Sequence, residues 1–149
     1  MSDRPRVLQM ETMFMALADR TRLRLLHLMA QGEVCVNVFT EALGESQPKV
    51  SRHLAYLRNA GLVDTRRHGK WIYYSISWPA DEELASVLDA TIAALRSDPD
   101  LVADRYKLSV LNTLPAAVSE IAGKPGADEK PYELPPGRPV RNELDEFLL

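Results

Sequence analysis

Residues 46–61 read SQPKVSRHLAYLRNAG, and this stretch decides the fold. Ser46 is a favourable N-cap residue, Pro48 lies in the first turn where a missing N–H does no harm, and Gly61 ends the helix. One side of the helix is apolar and consists of Val50, Leu54 and Leu57. The opposite side is small, polar and basic and consists of Pro48, Ser51, Arg52, Ala55 and Asn59. A helix that enters a DNA groove must be slim and hydrogen-bonding outside while it is anchored inside, so we predict a recognition helix that begins near Gln47.

Three shorter helices are predicted before it. The first runs from about Val7 to Ala18, where apolar residues recur every three or four positions. The second, TRLRLLHLMA, is capped by Asp19 or Thr21 and ends near Gly32. The third runs from about residue 36 to residue 43 and ends at Gly44. The third helix and the recognition helix together predict a helix-turn-helix.

A hairpin and a long helix are predicted after it. Residues 62–76 contain two β-prone runs around a turn centred on His68-Gly69. The tip of this hairpin is basic and consists of Arg66, Arg67, His68 and Lys70. A helix then opens near Asp81 and continues to about residue 96 with a long apolar stripe. The predicted fold is therefore mainly α, a winged helix-turn-helix of about five helices plus a two-stranded β-wing, with a C-terminal extension.

The chain divides into three parts by composition. Residues 1–97 form the predicted DNA-binding and dimerisation domain, and residues 98–122 a short helical extension. Residues 123–149 are rich in proline, which forbids regular helix and indicates an extended tail. The tail ends in apolar residues suited to docking on its own dimer or on another protein, although a disordered tail is the alternative. These apolar residues are Leu144, Phe147, Leu148 and Leu149.

Positive charge is concentrated in one segment of a chain whose net charge is −3. Residues 46–70 hold six Lys and Arg residues against the single carboxylate of Asp64, a net charge of +5. Such a stripe suits phosphate binding, although a solvated basic face is the alternative. The single cysteine, Cys35, fits a reducing compartment. No signal peptide is apparent and no run approaches the ~20 apolar residues of a membrane span, so we expect a cytoplasmic protein without a membrane partner.

Three segments in this order resemble the ArsR-type (ArsR/SmtB) family of bacterial repressors. They are residues 16–26 (ALADRTRLRLL), residues 46–63 (SQPKVSRHLAYLRNAGLV) and the wing at residues 66–74 (RRHGKWIYY). The resemblance covers roughly residues 5 to 97. It implies a homodimeric repressor that binds double-stranded operator DNA and releases it on sensing a metal, a metalloid or an oxidant. The first helix and the helix at residues 81–96 keep apolar residues beyond those that the core needs, which predicts dimerisation through these two helices.

The resemblance assigns roles to the basic segment. Gln47, Ser51 and Arg52 fall where such proteins touch base edges and nearby phosphates, and Gln suits adenine as Arg suits guanine. The remaining predicted DNA-binding residues are Pro48, in the same helix turn, the phosphate-binding Lys49, Arg66, Arg67 and Lys70, and His68. His68 could contribute to this contact, but the favoured description is an exposed turn histidine. His53 faces the apolar side and is interpreted as packed, whereas Tyr56 either reaches a phosphate or fills the surface.

The sensing sites of this family are incomplete here. Its thiol site places two cysteines around one residue, but this chain has Cys35 in the first position and Asn37 in the second. Residues 81–96 contain no histidine for a zinc site, and residues 106–112 contain no thiol. We therefore expect neither a metal nor a cofactor. Cys35 is either a redox or effector sensor or a small buried hydrophobic residue, and the second interpretation is favoured.

These features predict a sequence-specific DNA-binding regulator, a homodimeric repressor released by an unidentified signal. One alternative is a winged-helix protein-interaction module that binds no DNA. Another is an enzyme that uses this fold only for dimerisation. No glycine-rich cofactor loop occurs in the sequence, so we do not expect an enzyme.

Overall fold

The computed structural model describes residues 4–113 and shows a mainly α, winged helix-turn-helix architecture, as predicted. The proline-rich tail of residues 123–149 and the end of the helical extension lie outside the described residues. In chain order the elements are α1 (Arg6–Leu17), α2 (Arg20–Met29), β1 (Val34–Cys35), α3 (Val36–Leu43), α4 (Gln47–Asn59), β2 (Val63–His68), β3 (Trp71–Ile76), α5 (Glu82–Ala94) and α6 (Pro99–Thr113). None of the helices between residues 4 and 113 has the length and apolar character that a membrane crossing requires.

Helix starts are fixed by side chains that accept backbone hydrogen bonds. The Asp19 carboxylate accepts from the N–H of Arg22 and starts α2, which decides between the two predicted caps. The Ser46 hydroxyl accepts from the N–H of Lys49 and starts α4, as predicted. Asp81 accepts from two N–H groups at the start of α5. The recognition helix thus begins at Gln47 because its first turn is capped and carries a proline that needs no partner.

The predicted two-stranded wing is present as β2 and β3, and a third strand, β1, joins the same sheet. Its order is β1-β3-β2, and β1 pairs with β3 antiparallel through Val34 with Tyr74 and Cys35 with Tyr73. A two-residue strand has no periodicity to recognise, and its partner lies far along the chain, so the sequence pattern did not predict it. Cys35 consequently lies in a strand and is the residue that directly precedes α3.

The wing turn lies one residue later than predicted. His68 pairs with Trp71 at the end of the ladder, so the two turn residues are Gly69 and Lys70. Gly69 has a φ of +57°, in the left-handed region that glycine adopts without strain. His68 is therefore the last residue of a strand, next to the tip.

The core lies between α2, α3, α4 and the base of the sheet. The predicted inner face of α4, Val50, Leu54 and Leu57, is fully buried, as are Leu25 and Phe39. Large apolar side chains removed from water in this way supply most of the stabilisation of a small domain. The recognition helix is thus anchored on its inner side, which leaves the outer side for another molecule.

Helix α6 packs on α2 and α3 and adds Leu108 to the same apolar cluster. The packing also includes a buried ion pair. Arg24 donates from Nε and Nη2 to the two carboxylate oxygens of Asp104, both at 2.7 Å. The Asp104 hydrogen bond, opposed by partial burial, raises the pKa of Arg24 above its usual value. Two parallel charge-assisted bonds hold α6 in one orientation on α2.

Helix α1 is exposed along much of its length. The predicted apolar stripe of this helix buries Met13 and Leu17, whereas Val7 is 77% and Phe14 51% exposed. Arg6 joins the start of α1 to the start of α5 through Asp81, at 2.8 Å, and Glu83. The two helices are therefore held together at one end while α1 keeps apolar side chains in solvent.

Candidate nucleic-acid interface

The outer side of α4 presents the predicted base-reading residues. Gln47, Pro48 and Arg52 are exposed and Ser51 is half-buried. Residues four apart lie above one another on a helix, so Gln47 stacks with Ser51 and Pro48 with Arg52 along one side. Small residues separate the longer ones, and the surface is slim enough for a major groove, which admits a single helix.

Two other polar residues of α4 face the neighbouring helix α2. Nδ1 of His53 lies 3.7 Å from the Asp19 carboxylate and 3.4 Å from Nη1 of Arg22, and the side chain is only 15% exposed. His53 is thus packed, as its position on the apolar side indicated. The Tyr56 ring lies under the Arg22 guanidinium, 4.1 Å from its central carbon, while the residue remains 41% exposed.

The carboxylate of Asp19, which caps α2, also lies beside His53 of the recognition helix α4. Partial burial raises the pKa of its carboxyl, but the hydrogen bond from the Arg22 backbone and the charges of His53 and Arg22 outweigh burial. The net result is a pKa below the usual value, so Asp19 is ionised at neutral pH. The sequence predicted its capping role and missed its place beside the recognition helix.

The wing holds its three cations in different ways. Arg66 donates to the Glu33 carboxylate at 2.6 and 3.1 Å and lies over the Tyr73 ring. Nε of Arg67 donates to the carbonyl oxygen of Gly69 at 3.2 Å, and Nζ of Lys70 lies 4.9 Å from the centre of the Trp71 ring. All three residues are exposed. Arg67 and Lys70 have no carboxylate partner among the ion pairs of the described chain, so their charge is available to an anion.

Two carboxylates lie beside the predicted phosphate contacts. Glu33 is paired with Arg66, and Glu45 accepts from Nζ of Lys49 at 3.0 Å, one helical turn away. Neither acid was singled out by the sequence. Only the fold brings Glu33 to the wing, whereas the four-residue spacing of Glu45 and Lys49 is a local signal that could have indicated their pairing. Phosphate groups must compete with these carboxylates for Arg66 and Lys49, whereas Arg52 needs no such exchange within residues 4–113.

Cys35 is 2% exposed and belongs to the apolar cluster. Its burial agrees with the small hydrophobic role that the sequence favoured. Within residues 4–113, no group of three or more His, Cys, Asp or Glu side chains is placed to hold a metal ion.

A buried helix-turn-helix core, an exposed basic recognition helix and a basic hairpin beside it define the class of winged-helix DNA-binding proteins. The family model described as "Bacterial regulatory protein, arsR family" matches residues 19–65. The chain is 47% identical over 91 residues to the arsenic resistance transcriptional regulator ArsR1 of Pseudomonas putida, covering 57% of this chain and 70% of that protein. It is 45% identical over 78 residues to the arsenical resistance operon repressor of Escherichia coli, covering 52% of this chain and 67% of that protein.

A solved structure of a possible member of the same family is also similar to this chain. The homodimeric winged helix-turn-helix DNA-binding domain of a possible ArsR-family regulator from Mycobacterium bovis is 35% identical, with a TM-score of 0.51. The match covers 66% of this chain and 91% of that domain. The chain belongs to the arsR family of bacterial regulatory proteins and is a DNA-binding transcriptional regulator. The relatives named here are regulators rather than enzymes.

Proposed function

We propose that this protein is a homodimeric repressor that occupies a two-fold operator with α4 in the major groove and the wing on the adjacent backbone. The observation that carries this proposal is the outer side of α4, where exposed Gln47 and Arg52 project from a helix whose inner side is fully buried. The names of the Escherichia coli and Mycobacterium bovis relatives support repression and a dimeric state. No observation favours the alternative of a protein-interaction module that binds no DNA.

The residues divide into base readers and phosphate contacts. Gln47 and Arg52 read base edges, since the amide suits adenine and the guanidinium suits guanine. Pro48 and Ser51 form the slim surface between them. Phosphates are bound by Lys49, Arg66, Arg67 and Lys70, with His68 beside the wing tip. Lys49 and Arg66 exchange their carboxylate partners for phosphate oxygens on binding.

The dimer forms through α1 and α5. Exposed apolar side chains on α1 support this interface, and they are Val7, Leu8, Phe14 and Met15. Arg6 keeps the start of α1 beside the start of α5, so both helices can contribute to one surface. Burying such a patch against a second copy removes apolar area from water and places two recognition helices about a two-fold axis.

The three parts of the chain have separate roles. Residues 1–97 bind DNA and dimerise, residues 98–122 form the helical extension, and residues 123–149 contact the same dimer or another protein. The repressor acts in the cytoplasm and is released from its operator by an unidentified signal. The burial of Cys35 favours a packing role over a redox or effector role.

A titration of the full chain on its operator in increasing salt tests the function. The operator is first selected from random DNA. We expect Gln47→Ala/Arg52→Ala to lose at least ~100-fold in operator affinity, since each base contact contributes about 1–3 kcal/mol, and to keep most of its non-specific binding. The matched control is Lys107→Ala, which removes an exposed cation from α6, and a Cys35→Ser arm tests the thiol. A double variant that binds the operator like the wild type would overturn the proposal.

A further inference from the structure

The side chain of Arg22 lies where α1, α2 and α4 meet. Its Nε donates to the carbonyl oxygen of Ala16 at 2.7 Å, and its Nη2 donates to that of Met15 at 3.0 Å. Both carbonyls belong to the last turn of α1, where no following helical N–H group remains to donate to them. The guanidinium therefore caps the C-terminal end of α1, where the helix dipole also favours positive charge.

The same guanidinium contacts the recognition helix. Its central carbon lies 4.1 Å from the centre of the Tyr56 ring, and its Nη1 lies 3.4 Å from Nδ1 of His53. The backbone of Arg22 is fixed as well, because its N–H is bound by Asp19 at 3.0 Å. One planar group thus connects the end of α1 to the middle of α4, although the main packing partner of α1 is α2.

The two ends of this connection belong to the two functional surfaces. Met15, whose carbonyl accepts from Arg22, is 55% exposed on the proposed dimer helix. Tyr56 lies one helical turn after Arg52 and packs against Arg22 of α2, beside the DNA-facing side of α4. The contacts of Arg22 therefore connect the proposed dimer helix α1 to the helix that carries the base-reading residues.

We propose that Arg22 is a positioning residue that fixes the orientation of α4 relative to α1 and so sets the half-site spacing that the dimer reads. The inference rests on the proposed dimeric function. Two half-sites lie about 34 Å apart on one face of DNA, and their separation must match that of the two recognition helices. A helix of 13 residues is about 20 Å long, so a rotation of about 6° at one end moves the other by about 2 Å.

Arginine is required by this geometry. Its rigid fork donates to two carbonyls while its flat face stacks on an aromatic ring. A lysine at this position keeps the charge but has one nitrogen on a flexible stem, so it cannot make both sets of contacts. Arg22→Lys therefore separates charge from positioning.

The experiment measures affinity for the operator and for operators with one base pair added or removed between the half-sites, at fixed salt. We expect the wild type to prefer the native spacing by at least about tenfold, as for a mismatched site. In Arg22→Lys the preference falls to within about threefold, and Tyr56→Leu, at an exposed position, shows the same change. Tyr56→Phe keeps the ring and therefore keeps the wild-type preference. Near-ultraviolet circular dichroism and urea unfolding accompany each titration.

The outcomes separate positioning from stability alone. If Arg22→Lys and Tyr56→Leu unfold at lower urea concentration but retain the tenfold preference, Arg22 only stabilises α1 and the inference is wrong. A wild type that is indifferent to spacing overturns the dimeric function and this inference together. A discriminating wild type with equally discriminating variants overturns the inference alone.

Discussion

The outer surface of α4 and the wing uses charge differently from the contact between α2 and α6. On the first surface, Arg52, Arg67 and Lys70 are exposed and carry no carboxylate partner in the described chain. In the second, the Arg24 side chain is 17% and that of Asp104 2% exposed, and each satisfies the other. Exposed cations contribute little to folding, whereas a buried ion is costly once its partner is removed. The position of a charge thus decides whether its loss is measured in DNA binding or in stability.

The largest expected effect is a loss of stability on breaking the buried ion pair between α2 and α6. Asp104→Ala leaves the guanidinium of Arg24 buried without its counter-ion, and we expect a loss of about 3 kcal/mol in the free energy of unfolding. Operator affinity of the folded protein should stay within about twofold. Urea unfolding and DNA titration measure the two quantities. Asp100→Ala, at an exposed position on the same helix, is the control, and an Asp104→Ala variant as stable as this control would contradict the comparison.

The wing should show the reverse behaviour. Arg67→Ala and Lys70→Ala each remove one proposed phosphate contact, so we expect about fivefold weaker binding and a salt slope reduced by about 1. Unfolding free energy should change by less than about 0.5 kcal/mol. Arg66→Ala should weaken binding less, because Glu33 holds that guanidinium in the free protein.

Operator titrations at three or more salt concentrations give the slopes of the wing variants. Lys107→Ala on α6 again provides the matched control. An unchanged slope in both Arg67→Ala and Lys70→Ala would remove the wing from the DNA interface.

The smallest expected effect concerns the pH dependence of the free energy of unfolding, through the buried His27 of α2. Burial lowers the pKa of His27, helped by the charge of Arg105, and neither ring nitrogen has a hydrogen-bond partner in residues 4–113. The unfolded chain takes up a proton near pH 6.5 that the folded state resists. Stability is therefore complete above this pH and falls as the pH drops below it, because the unfolded state binds more protons.

His27→Leu should flatten the unfolding free energy between pH 7 and pH 5. The measurement is urea unfolding at several pH values in that interval. Asp19, whose pKa is also lowered, loses its contribution only in more acid solution, below its usual value of 3.8. His68→Asn on the exposed wing is the control, and a slope equal to that of the wild type in His27→Leu would show that another group governs the dependence.

Local signals predicted the helices and the exposed side of α4. The caps at Ser46 and Asp81 and the apolar spacing of α4 depend on neighbours a few residues away, and these are visible in a sequence. The arrangement of the site depends on contacts between residues that are distant in the chain, and such contacts are not visible in a sequence. Arg66 meets Glu33 only because β1 brings residue 33 to the wing.

Helix α6 illustrates the same limit. Its existence was predicted, but its buried face was not. Leu101 and Leu108 are buried whereas Val102 and Tyr106 are exposed, and all four are apolar. Hydrophobicity alone cannot tell which of two apolar stripes packs inward. Arg24 and Asp104, which hold α6 in place, lie 80 positions apart in the chain.

The pairing of β1 with β3 has a consequence for the order in which the wing gains protection from solvent. Residues of the β2–β3 hairpin are near neighbours in the chain, so the hairpin closes a short loop, whereas Val34 and Tyr74 enclose α3, α4 and β2 between them. Closing the longer loop costs more chain entropy, so this contact forms after the helices have packed. Amide hydrogens near Gly69 should exchange fastest, while those at the base of β3 exchange only when the helix-turn-helix itself opens. The tip of the wing can therefore adapt to a DNA backbone while its base keeps the register of the recognition helix.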